Sequence, residues 1–388
     1  MEAFSKIKFL GEDLNSLIIF LSLFFSILYF LLIIWFSDTL NKSSDIDIDS
    51  DKIEEKLPFI SVIIAAHNEE KNIPTLLKNL KIQTYNKKLY EIIIIDDRSN
   101  DKTSQIIKDN LNENIKLIKI DVTPIGWSNK KWALNEGIKL SKGQIIVQTD
   151  ADCVPNKKWL ETTIKAFSEE NTGFVCGPSP LYSNNKIERI IQLENNAQDA
   201  FSAAGMMNGL TLSCTGRNMA FLKNIFIEIG GYDGIEHLKS GDDDLLLHKI
   251  KKNTNYKLKF LLNENASVYS YAPSSVNDFI NQRLRFASKG LFYYSWKADF
   301  SLRLVLPLLY LTNFFISICI IKFAASSYQL WLLPWLIISI ADFYFTYNYY
   351  TKLKQQWNLF DCIMLSFIHP FYVVIFGGLG PLLNVKWK

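Results

Sequence analysis

Three groups of carboxylates stand out in the sequence, because each could bind a metal ion or move a proton. The first is Asp150-Ala151-Asp152, in which two carboxylates lie two residues apart after an apolar run. Hard cations such as Mg²⁺ and Mn²⁺ prefer oxygen ligands and often combine one or two carboxylates with phosphate oxygens. The pair is therefore a candidate site for Mg²⁺ or Mn²⁺, although an ordinary surface strand that ends in aspartate would give the same pattern.

The other two groups are Asp96-Asp97 and Asp242-Asp243-Asp244. Ser99 or Asp101 could cap a helix after the first group, but two adjacent carboxylates exceed what a cap requires. We therefore expect one of them to hydrogen-bond a ribose or a base. In the run of three aspartates, mutual repulsion can raise one pKa toward that of a useful general base. The same run could simply complement the dipole of the helix that follows it.

Apolar runs between these groups predict alternating strands and helices. The predicted strands cover residues 59–66, 91–95, 115–120 and 144–148, and the predicted helices cover residues 68–80, 101–111 and 129–140. Such alternation, with strands apolar on both faces, is typical of a mostly parallel sheet. Ligands bind at the carboxyl ends of the strands of such sheets. The polar clusters fall there, so the expected fold class is α/β.

The 388-residue chain exceeds one typical domain, and its apolar residues are unevenly distributed. Residues 16–36 carry no charge and are long enough to cross a bilayer. A cleaved signal peptide is the alternative, but the apolar run is longer than usual and no cleavage motif follows it. The predicted order is a tail at 1–15, a transmembrane helix at 16–36, an acidic linker at 37–57, a large domain at 58–300 and a membrane bundle of two or three spans at 304–383.

Charge and cysteine content exclude several classes of function. The net charge is only +3 and there is no dense basic cluster, so nucleic acid is not an expected partner. The five cysteines contain no C-x-x-C pair, which argues against a disulfide framework and against a zinc site. The lipid bilayer is the partner that the apolar segments predict.

Several motifs, in order, resemble those of glycosyltransferase family 2, whose members have the GT-A fold. Residues 62–70 are similar to that family's first strand and nucleotide-contacting loop, 96–103 to its second motif, 129–135 to its Gly-Lys-x-x-Ala-Leu-Asn element, and 150–152 to its metal motif. The resemblance covers about residues 58–290. It implies a nucleotide-sugar donor, a UDP- or GDP-sugar, contacted by Ala66, His67, Asn68, Glu69, Asp96, Asp97, Ser99, Lys130, Asp150 and Arg285. His67 and Asn129 depart from the family's commoner residues.

The resemblance extends to the catalytic and acceptor side. Residues 240–246 are similar to the family's Glu-Asp-x-x-Leu pattern, which implies that Asp242 replaces the glutamate and that Asp243 deprotonates the acceptor hydroxyl in an inverting displacement. The loop Gly216-Arg217-Asn218 resembles the family's acceptor-side loop.

A further element, Gln282-Arg283-Leu284-Arg285-Phe286, resembles the Gln-x-x-Arg-Trp of processive members such as cellulose and hyaluronan synthases. Gln282, Arg285 and Phe286 would share one face of a helix. Arg285 could hold the diphosphate and Phe286 could stack near the acceptor, but phenylalanine in place of tryptophan weakens the case for processivity. The alternative is a basic amphipathic helix, at about 276–300, on the membrane surface.

The expected function is therefore metal-dependent transfer of a sugar to a lipid or glycan acceptor. We expect Asp152 to be the direct metal ligand and Asp150 to reach the ribose, or the ion through water. A processive polysaccharide synthase and a non-catalytic nucleotide-sugar-binding scaffold are the alternatives.

The membrane topology follows from charge and from the family resemblance. Because nucleotide sugars are cytosolic, the large domain should face the cytoplasm from the plasma or inner membrane. Lys352 and Lys354 would then lie inside, as the positive-inside rule expects. The terminal lysines would lie outside, a conflict that predicts a re-entrant or broken last segment. Asp342, within an apolar stretch, is either functional or interfacial.

Overall fold

The computed structural model describes residues 2–43, 57–273, 275–295 and 298–383. The strands are β1 (Ile60–Ala66), β2 (Tyr90–Asp97), β3 (Ile115–Ile120), β4 (Ile145–Gln148), β5 (Val154–Pro155), β6 (Thr172–Cys176), β7 (Leu181–Tyr182), β8 (Met219–Leu222), β9 (Lys257–Phe260) and β10 (Val268–Tyr271). The helices are α1 (Glu2–Lys42), α2 (Ile73–Lys81), α3 (Thr103–Lys108), α4 (Asn129–Leu140), α5 (Trp159–Lys165), α6 (Lys186–Met207), α7 (Lys223–Glu228), α8 (Asp244–Asn253), α9 (Val276–Ala287), α10 (Phe292–Ser295), α11 (Phe300–Ser326), α12 (Leu333–Lys352) and α13 (Leu359–Leu379). Short 3₁₀ turns lie at Lys87–Leu89, Ala166–Ser168, Glu264–Ala266, Gln329–Leu332 and Gly380–Leu382.

A seven-stranded sheet in the order β3-β2-β1-β4-β8-β6-β9 forms the centre of the domain. All neighbouring strands are parallel except β8, which is antiparallel to both β4 and β6. A smaller sheet in the order β5-β10-β7 stands beside it. The predicted α/β class with a mostly parallel sheet is confirmed.

The long apolar runs exist because the sheet is covered on both faces. Side chains alternate along a strand, so Ile93 packs into one core with Leu134 of α4 while Ile92 and Ile94 pack into another with Leu76 of α2. All of these side chains are almost completely buried. A strand between two such layers needs apolar residues at every position.

Two boundaries differ from the predictions in ways that matter for the site. β2 continues through Asp96 and Asp97, so both carboxylates are strand residues and not part of the loop. α2 begins at Ile73 and not at residue 68, because the chain turns sharply at Asn68, whose φ of 57° is left-handed. The intervening residues therefore form a loop at the strand ends.

Four of the described helices, α1, α11, α12 and α13, are long and apolar enough to cross a membrane. α1 packs against α11 and α12, and α6 of the domain packs against α1, α12 and α13. α1 also includes the predicted tail and residues 37–42 of the predicted linker. Residues 44–56 of that linker lie outside the described residues.

The apolar helix α13 touches the domain at both of its ends. Arg189 of α6 pairs with Asp361 in the first turn of α13 at 3.0 Å. A Cβ added to Gly380, directly after α13, would clash with Cβ of Ala287 at the end of α9. The helix is continuous, so the predicted break is wrong. A continuous helix of 21 residues is about 31 Å long and does not turn back on itself, and it is long enough to cross a bilayer.

The helix predicted to lie on the membrane surface at 276–300 is shorter, and Arg283 is its one buried residue, while Val276 is 74% exposed. It ends at Ala287, and Arg283 is 4% exposed because it pairs with Glu194 of α6. Asp342 lies midway along α12 and accepts a hydrogen bond from Tyr29 of α1 at 2.7 Å. That position favours a role inside the helix bundle over an interfacial one.

Replacement of Ile93 tests the two-sided burial of the sheet. Ile93→Ala should lower the free energy of unfolding by about 2–5 kcal/mol, because it leaves a cavity in a packed core. The measurement is the midpoint of urea unfolding of the detergent-solubilised protein. Ile125→Ala is the matched control, since Ile125 is fully exposed and its loss should leave the midpoint unchanged. Equal midpoints for the two variants would contradict the packing described.

Candidate active site

The loops that follow β1 and β2 are held together by hydrogen bonds between them. The backbone N–H of Asn68 donates to Oγ of Ser99 at 3.0 Å, and the N–H of Asn100 donates to Oδ1 of Asn68 at 2.9 Å. The N–H of Glu69 donates to Oγ1 of Thr103 at 2.7 Å. These bonds bring the residues predicted to contact a nucleotide into one rigid strand-end crevice.

Within this crevice the carboxylates and His67 have defined partners. Oδ1 of Asp96 accepts the N–H of Ser99 at 3.1 Å, and Asp97 pairs with Arg98 at 2.8 Å. Nδ1 of His67 lies 2.6 Å from the carbonyl oxygen of Asp97. Ser99 joins the two loops and is not a helix cap, whereas Oδ1 of Asp101 accepts the N–H of Thr103 in the first turn of α3.

Lys130 is placed between two of the carboxylate groups that the sequence singled out. Its Nζ lies 2.8 Å from Oδ1 of Asp150 after β4 and 2.8 Å from Oδ2 of Asp242 before α8. Burial lowers the pKa of Lys130, but the two ion pairs outweigh it and raise the pKa above its ordinary value. For Asp150, burial raises the pKa, as do Asp152 and Asp242, while Lys130 opposes them. The buried ammonium therefore lets two carboxylates share one end of the sheet.

The neighbouring Lys131 has a structural role that the sequence did not reveal. It is 1% exposed, and its Nζ donates to the carbonyl oxygens of Ile235, Leu238 and Ser240 at 2.5, 3.0 and 3.0 Å. Burial lowers its pKa to about 8. Two lysines in the first turn of α4 therefore fix this region. Lys131 holds the loop that leads to Asp242, and Lys130 holds Asp242 itself.

The three consecutive aspartates occupy three different environments. Asp242 is paired with Lys130, and Asp244 is paired with Lys289 at 2.6 Å and accepts a hydrogen bond from Tyr293. Burial raises the pKa of Asp244, but the attraction of Lys289 and the hydrogen bonds to this carboxyl together lower it by more than burial raises it. The pKa of Asp244 therefore lies below its ordinary value. The expected mutual repulsion is therefore offset by two lysines.

Asp243 is the most exposed of the three, with 22% of its side chain exposed. Its Oδ1 accepts the N–H of Asp244 at 2.8 Å, which caps α8, and its Oδ2 accepts the N–H of Gly216 at 3.0 Å. Asp243 therefore caps the start of α8 and also lines the cavity. A Cβ on Gly216 would lie 3.0 Å from Oδ2 of Asp242, so a larger residue would require this carboxylate to move by a few tenths of an ångström.

The rest of the predicted acceptor loop is divided between the site and the core. Arg217 lines the site and donates to Oγ of Ser270 at 2.6 Å and to Oδ1 of Asn195 at 2.8 Å. Asn218, in contrast, is 2% exposed and bonds to Trp159, Pro178 and Ala266. Its assignment to the acceptor side is wrong, because its polar atoms are used to hold the core.

Gln282, Arg285 and Phe286 of α9 all face the site, as their helical spacing predicts. The guanidinium of Arg285 lies 5.4 Å from the ring centroid of Phe286. Lys289 continues the same face, although it follows α9. It was missed in the sequence, where its position four residues after Arg285 was the available signal.

One cavity of about 850 Å³ joins the site to the apolar helices. Its lining includes ten of the predicted residues, namely Lys130, Asp150, Asp152, Gly216, Arg217, Asp242, Asp243, Gln282, Arg285 and Phe286. The predicted donor residues Ala66, His67, Asn68, Glu69, Asp96, Asp97 and Ser99 do not line it. They lie at the ends of β1 and β2, on the same edge of the sheet as Asp150.

The donor set of Asp150 and Asp152 fits a divalent cation that also binds phosphate. Asp152 is exposed, whereas Asp150 is half-buried and shared with Lys130. Among the described residues, no group of three or more histidine, cysteine, aspartate or glutamate side chains is placed to hold a metal ion. Mg²⁺ commonly uses only one or two carboxylates and takes its other ligands from water and substrate phosphates.

Residues 61–230 match the sequence profile of Glycosyl transferase family 2. The glycosyltransferase AglE of Haloferax volcanii is 29% identical over 53% of this chain and 64% of its own length. The probable glycosyltransferase YdaM of Bacillus subtilis is 28% identical over 60% of this chain and 55% of its own length. The chain thus spans less than two thirds of either relative.

Among solved structures, the chain is similar to the mannosyltransferase PcManGT from Pyrobaculum calidifontis in complex with GDP-Man and Mn²⁺. The TM-score is 0.58 and the identity 16%, and the match covers 95% of this chain and 100% of that chain. This likeness concerns the fold alone. Together with the family match it confirms the GT-A fold that the sequence motifs imply.

Replacement of Lys130 tests whether its ammonium holds the site together. Lys130→Gln leaves the half-buried Asp150 and the buried Asp242 without their shared cation, so the free energy of unfolding should fall by about 1–3 kcal/mol. Loss of the ammonium raises the pKa of Asp150 further, and a native state that binds more protons loses stability as pH rises. The deficit should therefore be larger at about pH 8 than at about pH 5.

The measurement is urea unfolding at both pH values. Lys139→Gln is the control on the same helix, because the Lys139 side chain is 59% exposed and its pair with Glu136 is a surface one. A deficit for Lys130→Gln that is independent of pH would contradict the role assigned to the ammonium.

Proposed function

We propose that the chain is a family 2 glycosyltransferase, as the profile match over residues 61–230 supports, and that it transfers a sugar from a nucleotide-diphosphate donor to a lipid or glycan acceptor at the membrane. The reaction is a metal-dependent, inverting displacement. The observation that carries the proposal is that Asp150, Asp152 and Asp243 all line one cavity. Lys130 lies between Asp150 and Asp242 and pairs with both.

The nucleotide of the donor, a UDP- or GDP-sugar, occupies the crevice between the loops after β1 and β2. Asp96 and Asp97, at the end of β2, form one wall of this crevice. His67 and Asn68, directly after β1, form the other wall. The diphosphate then reaches the cavity, where Arg285 is its cationic neighbour and Lys130 lies nearby in its ion pairs with Asp150 and Asp242. Charge-assisted hydrogen bonds from such groups are the strong ones for phosphate.

Asp152 holds the divalent cation, Mg²⁺ or Mn²⁺, directly. Support comes from the exposure of its carboxylate, while Asp150 is occupied by Lys130 and is better placed for the ribose or for a water on the ion. When bound, the cation supplies a Lewis acid that neutralises the departing diphosphate.

Asp243 accepts the proton of the acceptor hydroxyl. Two backbone N–H groups orient its carboxylate, and the loop at Gly216 that donates one of them also lines the cavity. A base fixed in this way can act on a hydroxyl without reorganising. Asp242 and Asp244 are committed to Lys130 and Lys289 and serve to position it.

The catalytic domain faces the cytoplasm. Nζ of Lys352, at the end of α12, donates to the carbonyl of Ser43 after α1 at 2.5 Å, so both helices end on one side. The next helix begins beside Arg189 of the domain, which puts Lys352 and Lys354 on the domain side. Positive charge in short loops marks the cytoplasmic side.

Asp152→Ala is expected to abolish donor turnover, because the direct ligand of the cation is lost. The measurement is release of nucleoside diphosphate from UDP- and GDP-sugars by the protein in membranes, together with the thermal shift produced by donor and Mn²⁺. Asp109→Ala, which removes an exposed aspartate at the C-terminal end of α3, away from the carboxyl edge of the sheet, should behave as wild type. Undiminished turnover and thermal shift in Asp152→Ala would refute the metal assignment.

Asp243→Asn separates catalysis from binding. The change keeps the shape of the side chain but removes the base, so transfer should fall by a factor on the order of 10²–10⁴. The thermal shift with donor and Mn²⁺ should persist, since the donor is held by other residues. Transfer at the wild-type rate would exclude Asp243 as the base.

A further inference from the structure

We propose that the acceptor is the hydroxyl group of an uncharged membrane lipid, whose hydrocarbon part lies in the cavity between the apolar helices. This inference rests on the proposed function and narrows its acceptor from a lipid or glycan to one chemical class. It excludes both a lipid phosphate and a water-soluble glycan.

The first argument is the continuity of the cavity. The same space that is lined by Asp152 and Asp243 is also lined by Tyr29 of α1, Val305 of α11, Ile338 of α12 and Val373 of α13. Its volume of about 850 Å³ lies within the range of ligand pockets, about 300–1,000 Å³. A molecule that reaches Asp243 can therefore extend between all four apolar helices.

This inner part of the cavity has a mainly apolar lining with fewer polar side chains, among them Asn313, Asp342 and His369, so it suits a hydrocarbon chain better than a glycan. Ile338 and Val305 are 5% and 8% exposed, and they present apolar surface to the cavity. Burial of apolar surface stabilises a bound hydrocarbon by roughly 25 cal/mol per Å². A glycan placed there would lose its hydration without gaining enough hydrogen bonds.

The second argument is the charge of the cavity. Eight carboxylates line it against five lysine and arginine side chains. Three of these cations, Lys130, Lys289 and Arg283, are already paired with carboxylates of the protein. A bound donor does not alter this excess of negative charge in the cavity, because the negative charge of its diphosphate is offset by the divalent cation that binds with it. An anionic lipid phosphate would enter against this negative field.

The third argument is the chemistry of the nucleophile. A phosphate monoester is largely ionised at neutral pH, because its second pKa is about 6, and it needs no base to attack. A hydroxyl group must lose its proton, which is the function of a positioned carboxylate such as Asp243. In the step, the lipid hydroxyl oxygen bonds to the anomeric carbon while the bond to the diphosphate oxygen breaks. The proton passes to Asp243, and the nucleoside diphosphate leaves with the electron pair.

The test uses the full-length protein in phosphatidylcholine nanodiscs with ¹⁴C-labelled UDP-glucose, UDP-galactose, UDP-N-acetylglucosamine and GDP-mannose. A total lipid extract of the source organism, divided by anion exchange into uncharged and acidic lipids, supplies the acceptors. Undecaprenyl phosphate and a soluble oligosaccharide are tested in parallel. Label should appear in a product of the uncharged fraction that resists mild acid, as a glycoside of a hydroxyl does.

Three outcomes would overturn the inference while leaving sugar transfer intact. They are an acid-labile product from undecaprenyl phosphate, a product only from the acidic lipids, and a labelled water-soluble glycan. Donor hydrolysis without any product from the uncharged lipids also overturns it. A donor that is neither bound nor turned over, in contrast, would refute the proposed function itself.

Two matched pairs of variants locate the hydrocarbon chain. Ile338→Trp narrows the cavity, whereas Ile340→Trp changes a residue of the same helix that is 60% exposed and does not line the cavity. Leu309→Trp and Leu304→Trp form the second pair on α11, in case the first alters folding; Leu304 is 57% exposed and outside the cavity.

Each cavity variant should raise the apparent KM for the lipid by about tenfold or more. The thermal shift with donor and Mn²⁺ should match that of wild type in all four. An apparent KM that is the same in each cavity variant and its control would place the lipid elsewhere and overturn the inference.

Discussion

The geometry of the site depends on one buried ammonium group. Asp150 comes from the end of a sheet strand and Asp242 from the approach to α8, and Lys130 lies 2.8 Å from both. Without a cation between them, two partly buried carboxylates would repel each other and separate. With this cation in place, two parts of the site form one surface. One is the end of β4, which would hold the divalent cation, and the other is the start of α8, which carries Asp243. Lys131 adds a second tie by bonding three carbonyl groups of the loop before Asp242.

The membrane side is built on a similar principle, in which polar groups that face the helices are paired. Arg283 and Glu194 connect α9 to α6, and Tyr29 and Asp342 connect α1 to α12. Paired polar groups cost far less in an apolar setting than isolated ones. The domain is therefore joined to the apolar helices by specific contacts as well as by apolar packing.

The first four strands and the strand-end clusters could be predicted from the sequence, because β1, β2 and β4 are largely apolar runs followed by polar residues. Asn129–Leu140 forms the helix expected at those residues. Asn218 could not be assigned correctly, since its neighbours Gly216 and Arg217 do face the cavity and only the three-dimensional packing shows that its amide is used in the core. The separate environments of Asp242, Asp243 and Asp244 were equally hidden, because they depend on lysines that lie far away in the sequence.

The close approach of Gly380 to Ala287 ties the end of α13 to the helix that carries Arg285. α13 also forms part of the wall of the cavity. A ligand that displaces α13 on entering between the helices would therefore displace Arg285 as well. The two substrates would then be thermodynamically coupled, each changing the other's affinity by the same factor, and the contact between Gly380 and Ala287 would transmit that coupling.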